Sequence, residues 1–219
     1  MTTLPDLPAN FAAALKLVDD AHAEDPKTIP GPAGGGGGGA DDAAVPSELH
    51  YARRMTSWLA VRCPDASPTL QLASRAQHFR RWEIPRASFP MTRAGYLTWR
   101  AKQKTQAAEK IKILLSTLSS PSSSSPPLPV EAIDRVAALV RKENLATDPE
   151  TQVLEDVACL VFLDDQLDDF EKRDDVDELK MLEILRKTWA KMSPRGREIA
   201  LGMRLSERGQ TLVGKALAE

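Results

Sequence analysis

The run VLEDVACLVFL at residues 153–163 decides the fold, because it reads either as a buried β-strand or as the central helix of a helical core. Short apolar runs fit both states, and the flanks must arbitrate. From Val157 to Leu163 the chain is apolar nearly all round, and it continues without a break into Asp164, Asp165, Asp168 and Asp169. That acidic continuation favours a long helix, and a helix apolar on all sides lies at the centre of a core.

Outward from this run, helical spacing governs the chain. Phe11, Leu15 and Val18 predict a first short helix, and Leu49, Met55, Trp58 and Leu59 a second that ends before Pro64. Leu70, Leu72, Ala73, Ala76 and Phe79 predict a third, stopped at Ile84-Pro85 because proline disfavours helical geometry in its predecessor. Residues 94–118 predict a fourth, and Val130, Ile133, Val136, Ala137 and Val140 a fifth. After the central sixth, Leu179, Leu182, Leu185, Trp189 and Met192 predict a seventh, closed by Ser193-Pro194-Arg195-Gly196, and residues 212–217 a short last helix. No segment alternates with period two for long enough to make a sheet, and no internal repeat is present. The Gly-rich stretch 30–46, with Gly34 to Gly39, and the Ser/Pro-rich stretch 116–129 predict flexible loops, since they bury too little apolar surface to offset the entropy of ordering. The pieces between them are short and amphipathic, and each alone would leave its apolar face bare. The expectation is therefore a single compact all-α domain over 1–219 with two loop insertions.

With 219 residues and 42% apolar side chains the chain can build a sizeable core. Its net charge of -2 gives no global pull toward nucleic acid or membrane, yet the middle is basic and the later part acidic. Between Arg62 and Lys112 the acids are Asp65, Glu83 and Glu109, whereas acids crowd residues 164–178, a run that reads as a solvated helix face and turn. Cys63 and Cys159 are too few for a disulfide scaffold or a four-sulfur zinc site, which fits a reducing compartment. The opening residues lack the charge and long apolar core of a signal peptide, and no stretch of about 18 uncharged apolar residues exists. A cytoplasmic protein without a membrane span is the expectation. Oligomeric state is not legible, and nucleic acid stays open as a partner.

Chemistry concentrates in RAQHFRRWEIPR, residues 75–86, where a histidine, a carboxylate, four arginines and a tryptophan end at a proline-bound turn. Arginine presents a rigid fork of donors to phosphate or carboxylate, and histidine binds metal or moves a proton near neutral pH. His78 with Arg75 and Trp82 would share one helix face, and Glu83 and Arg86 would follow at the turn. Glu155 and Asp156 are the second candidates. A carboxylate in so apolar a helix needs a cationic partner, and His78, an arginine of the basic segment or a metal would serve Asp156. His50, followed by Tyr51, Arg53 and Arg54, reads as a metal ligand or as an exposed polar residue at a helix start. Tyr96, Trp99 and Arg100 could stack on a ring or simply pack. His22 lies beside the glycine-rich stretch and is given no role. The sequence contains no Walker loop, dinucleotide glycine motif, His-Glu-x-x-His, Gly-x-Ser-x-Gly or paired Cys-x-x-Cys.

The strings RAQHFRRWEIPRASFP (75–90), GYLTWR (95–100), RKEN (141–144), LEDVACLVFL (154–163) and LRKTWAKMS (185–193) resemble the family catalogued as domain of unknown function 4202, over most of the chain outside the two loops. Members of that family often carry a glutamyl-tRNA synthetase label. Lys191-Met192-Ser193 resembles a synthetase signature, but it ends an amphipathic helix, no His-x-Gly-His accompanies it, and no nucleotide-binding sheet is legible. A looser likeness is to the HD-type metal phosphohydrolases, helical enzymes with an early histidine, a central histidine followed by aspartate, and a late aspartate. His50, His78 and Asp156 fall in that order, although Phe79 stands where that pattern has an aspartate. The likeness implies a divalent metal ion held by His50, His78 and Asp156, with water steered or deprotonated by Glu83. Arg75, Arg81 and Arg86 would then bind the phosphate of a small molecule or nucleotide. The alternative expectation is a non-catalytic module that binds an anionic metabolite, an RNA or an acidic protein partner, with His78 and Asp156 as a buried polar pair.

Overall fold

The computed structural model describes residues 2–30, 44–119, 126–172 and 177–218. Among them the elements are α1 (Ala9–His22), β1 (Thr28–Ile29), β2 (Val45–Pro46), α2 (Ser47–Arg62), α3 (Pro68–Arg75), α4 (Arg93–Ser116), α5 (Val130–Arg141), α6 (Pro149–Val161), α7 (Leu167–Glu171), α8 (Glu178–Lys191), α9 (Pro194–Leu201) and α10 (Glu207–Leu217). The fold is all-α. Its one pair of strands among the described residues is antiparallel and two residues long, Thr28 opposite Pro46 and Ile29 opposite Val45.

Local chemistry sets the helix starts. Ser67, Thr92, Asp148, Asp177, Ser193 and Ser206 each accept a backbone amide from the first turn of the helix that follows. Ser193 is the instructive one. The sequence Ser193-Pro194-Arg195-Gly196, read as the close of the preceding helix, opens α9 instead: Ser193 Oγ accepts from Gly196 N at 3.1 Å, and proline at the first helical position loses no bond it would have made.

α6 explains its own sequence. Val153, Leu154, Val157 and Val161 pack into one apolar cluster with Met55, Leu59, Leu72, Ile111 and Val136. Cys159 and Leu160 pack into a second with Leu167, Met181, Leu185 and Leu212. Burial on two sides is what makes the run apolar all round. The long continuous helix expected through Asp169 is interrupted, because Phe162–Gln166 widens into a π-turn before α7. Its acids fold back on α2: Asp164 accepts from Trp58 Nε1 at 2.9 Å and pairs with Arg54, and Asp165 faces His50 Nε2 at 2.7 Å.

The two loop expectations were drawn too wide at their edges. Val45–Pro46 is paired with β1, and Leu128 is 3% exposed in the first core cluster. Residues 34–39 and 120–125 lie outside the described residues. No described helix is long and apolar enough to cross a membrane.

Candidate functional site

Glu48, in the first turn of α2, organises the segment that the sequence marked. α3 ends at Arg75, not at Ile84, so His78 is not mid-helix and does not share a helical face with Arg75 and Trp82. His78 (φ 62°) and Arg80 (φ 51°) occupy the left-handed region, at about 1–2 kcal/mol each for residues with a Cβ. Glu48 compensates: its carboxylate accepts from Arg80 N at 2.9 Å and Arg81 N at 2.5 Å, and lies 3.0 Å from His22 Nδ1. The other nitrogen of His22 lies 2.9 Å from the Arg75 carbonyl, tying α1 to the end of α3. Asp25 receives Glu48 N at 2.9 Å and Lys27 N at 2.9 Å, which fixes the start of α2. Burial pushes the Glu48 carboxyl up, and the bonds from His22 and the two amides pull it back.

This framework walls a cavity of roughly 300 Å³, at the small end of ligand sites. His78 and Tyr51 stack along one side, ring centroids 4.3 Å apart and 13° from parallel. Trp82 and Trp99 line it further, and Lys27, Arg81 and Arg86 reach it with their charges. Arg81 lies 5.0 Å from the Trp99 ring, and its Nη1 is 3.3 Å from His78 Nδ1. With its amide oxygen turned inward, Gln103 accepts from Arg81 Nε at 3.2 Å and Trp99 Nε1 at 3.3 Å. Among the described residues no carboxylate pairs with Arg81, and its Nη2 has no hydrogen-bond partner. Arg86 is held by the carbonyls of Phe89 and Pro90 at 3.0 and 2.9 Å, also without a carboxylate. Burial, then Arg81, Arg100 and Lys142, hold the His78 pKa well below the usual imidazole range, so the ring is neutral at pH 7. A neutral imidazole beside a guanidinium without a carboxylate partner can hydrogen-bond a bound anion through its N–H without adding a charge of its own.

The residues singled out from the sequence divide. His78, Arg81 and Arg86 line the cavity together with Trp99. Tyr96, 47% exposed, and Arg100 stand beyond it on α4. Arg75 is spent on a bidentate pair with Asp19 at 2.6 and 2.8 Å, so it has no fork free for a ligand. Glu83 sits outside the cavity lining, bonded to Arg80, Gln106 and Lys110; burial raises its pKa, but Lys110 and Arg80 hold it below the usual range. The expected pairing of His78 with Asp156 is not made. Asp156, fully buried, accepts from Arg62 Nε (2.7 Å), Gln152 Nε2 (3.0 Å), Ser193 N (2.8 Å) and Ser193 Oγ (2.6 Å). His50 faces Asp165 instead of either. The trio read as metal ligands therefore has three separate sets of partners, and among the described residues no group of three His, Cys, Asp or Glu could hold a metal ion.

His22 and Glu48 were missed, although they build the site. His22-Ala23-Glu24-Asp25 placed an ionisable cluster ahead of the glycine-rich stretch, and the pairing of His22 with a glutamate 26 residues on is invisible to local pattern. Gln103, buried on α4, carries no signal beyond its apolar neighbours.

No solved structure and no curated protein matches the chain. A family model does, over residues 12–213, which takes in the Glu48 framework, the cavity walls and the Asp156 contacts alike. On that match the chain belongs to the family described as Domain of unknown function (DUF4202).

Proposed function

We propose that this chain binds a small phosphorylated metabolite in the cavity walled by Tyr51, His78, Arg81 and Trp99. One observation carries the reading: the Arg81 guanidinium stands in a ligand-sized cavity with no carboxylate partner and with Nη2 unbonded among the described residues. A half-buried cation without a counterion is held at a cost, and a bound anion removes that cost. The stacked Tyr51 and His78 rings and the Trp99 face favour a ligand that carries a planar ring beside its phosphate. The basic middle of the chain supports a small ligand better than a polyanion surface, since Arg75, Arg80, Lys110 and Lys112 are paired with Asp19, Glu24, Glu83 and Asp134.

Metal-dependent hydrolysis is the less supported reading, because His50, His78 and Asp156 have separate partners. Thermal-shift titration with inorganic phosphate and nucleoside monophosphates, run with chelator and with added divalent metals, separates the two. Binding predicts stabilisation that survives chelation and is lost in Arg81→Gln, a change worth about 1.5–3 kcal/mol for a charged hydrogen-bond donor. Stabilisation that appears only with metal would return the hydrolase reading, and none with any anion would remove the binding one.

A further inference from the structure

A second group of cations, outside the cavity lining, acts electrostatically on the Tyr51–His78 stack. Lys142 Nζ is 2.5 Å from Glu155 Oε2, with both side chains about nine-tenths buried (9% and 12% exposed), and Lys191 Nζ is 3.8 Å from the other oxygen. Arg100 and Lys104 lie one turn apart on α4 and so share a face. Among the described residues neither has a hydrogen-bond or ion-pair partner. Glu155 interacts electrostatically with Lys142, Lys191 and Lys104, and Lys104 in turn with Arg100, so three cations share one carboxylate and a fourth stands beside them. Burial, then Lys142, lowers the Lys104 pKa, and the pull of Glu155 does not offset them, the behaviour of an ammonium among more cations than the carboxylate can balance. The group is electrostatically coupled to the cavity: Arg100 acts on both Arg81 and His78, and Tyr51 senses Arg81, Arg100 and Glu155.

We infer that Arg100, Lys104, Lys142 and Lys191 form a second anion subsite adjoining the Arg81 cavity, and that the ligand carries more than one phosphate group. The inference rests on the phosphate-binding reading above and narrows it from a monophosphate to a diphosphate, bisphosphate or longer chain. Glu155 limits the cluster from within: it fixes Lys142 and leaves Arg100 and Lys104 to the ligand.

Calorimetric titration with inorganic phosphate and inorganic triphosphate, on the full chain and on Lys104→Gln, Arg100→Gln and Arg81→Gln, tests it. Among the described residues Lys104 and Arg100 have no hydrogen-bond or ion-pair partner, so their substitution should leave the fold intact, which melting curves check. The native chain should bind triphosphate about tenfold or more tighter than phosphate, and Lys104→Gln or Arg100→Gln should bring that ratio close to one. Equal affinity for the two probes, or a ratio unchanged in both α4 variants, overturns the second subsite even where Arg81→Gln abolishes phosphate binding. Triphosphate binding that depends on Lys104 but not on Arg81 sustains the subsite and removes the cavity reading. Failure of both probes to bind removes both.

Discussion

Asp156 and Glu48 are the two buried carboxylates around which the molecule is tied, and they do opposite things with the space beside them. Asp156 draws α2, α6 and the start of α9 together until nothing else fits: a Cβ built on Gly196 would lie 2.7 Å from its carboxylate. Glu48 also spends its oxygens on protein donors, but two of those are the amides of Arg80 and Arg81, within a segment held in left-handed geometry. The outcome is a wall with His78 and Arg81 on its open side. A fully bonded buried acid is an anchor in either place. The groups left for a ligand are the cations that no acid satisfies.

The sharpest way to break the comparison is Asp156→Ala. It leaves Arg62 and the Ser193 amide without their acceptor in a buried place, and removing one partner of such a pair costs about 3–5 kcal/mol. Denaturant unfolding should show that loss, while phosphate affinity of the folded fraction stays at the native value. Gly196→Ala should reproduce part of it through steric overlap, about 1–3 kcal/mol. A folded Asp156→Ala protein with native stability would mean that the four bonds to this carboxylate hold nothing together.

Glu48→Gln presses the other side. The amide retains one acceptor oxygen, but in either orientation its NH2 meets a backbone donor, Arg80 N on the side that faces His22 or Arg81 N on the other. About 2–3 kcal/mol of stability should go, and with it the alignment of Arg81, so that phosphate affinity falls together with stability. That joint loss distinguishes the wall from the anchor. Unchanged affinity in Glu48→Gln would show that Arg81 reaches its place without the carboxylate.

The helices were legible where periodicity was strong, because an apolar face repeating every three to four residues has few other ways to be buried. α6 was read as the central element for the correct reason, burial on both sides. What failed were junctions. Leu72, Ala76 and Phe79 keep helical spacing past the end of α3, and nothing local says that a glutamate 32 residues earlier captures the amide of Arg80 and turns the chain. Ser193-Pro194 was a helix start read as a stop, though serine before proline is an N-cap signature. The site was half legible: His78, Arg81 and Arg86 followed from residue chemistry, while Asp156 carried the right requirement, a cationic partner, and met it with Arg62 from 94 residues away.

The smallest effect is also the one that reports most directly on the wall. His78 has a folded-state pKa below its unfolded value of about 6.5, from burial first and then from Arg81, Arg100, Lys142 and His22. Unfolding therefore takes up a proton in the window beneath pH 6.5. Its contribution to stability is complete above that pH and shrinks as pH falls, by about 1.4 kcal/mol per pH unit for one proton, until the folded pKa is reached. His78→Phe keeps a ring against Tyr51 and removes the titration. Relative to the native chain, the variant should gain up to about 1.4 kcal/mol between pH 8 and pH 5.5 in denaturant melts. Parallel curves across that range would mean that the imidazole titrates alike in the folded and unfolded chains, so that neither its burial nor the neighbouring Arg81 disfavours the charged ring.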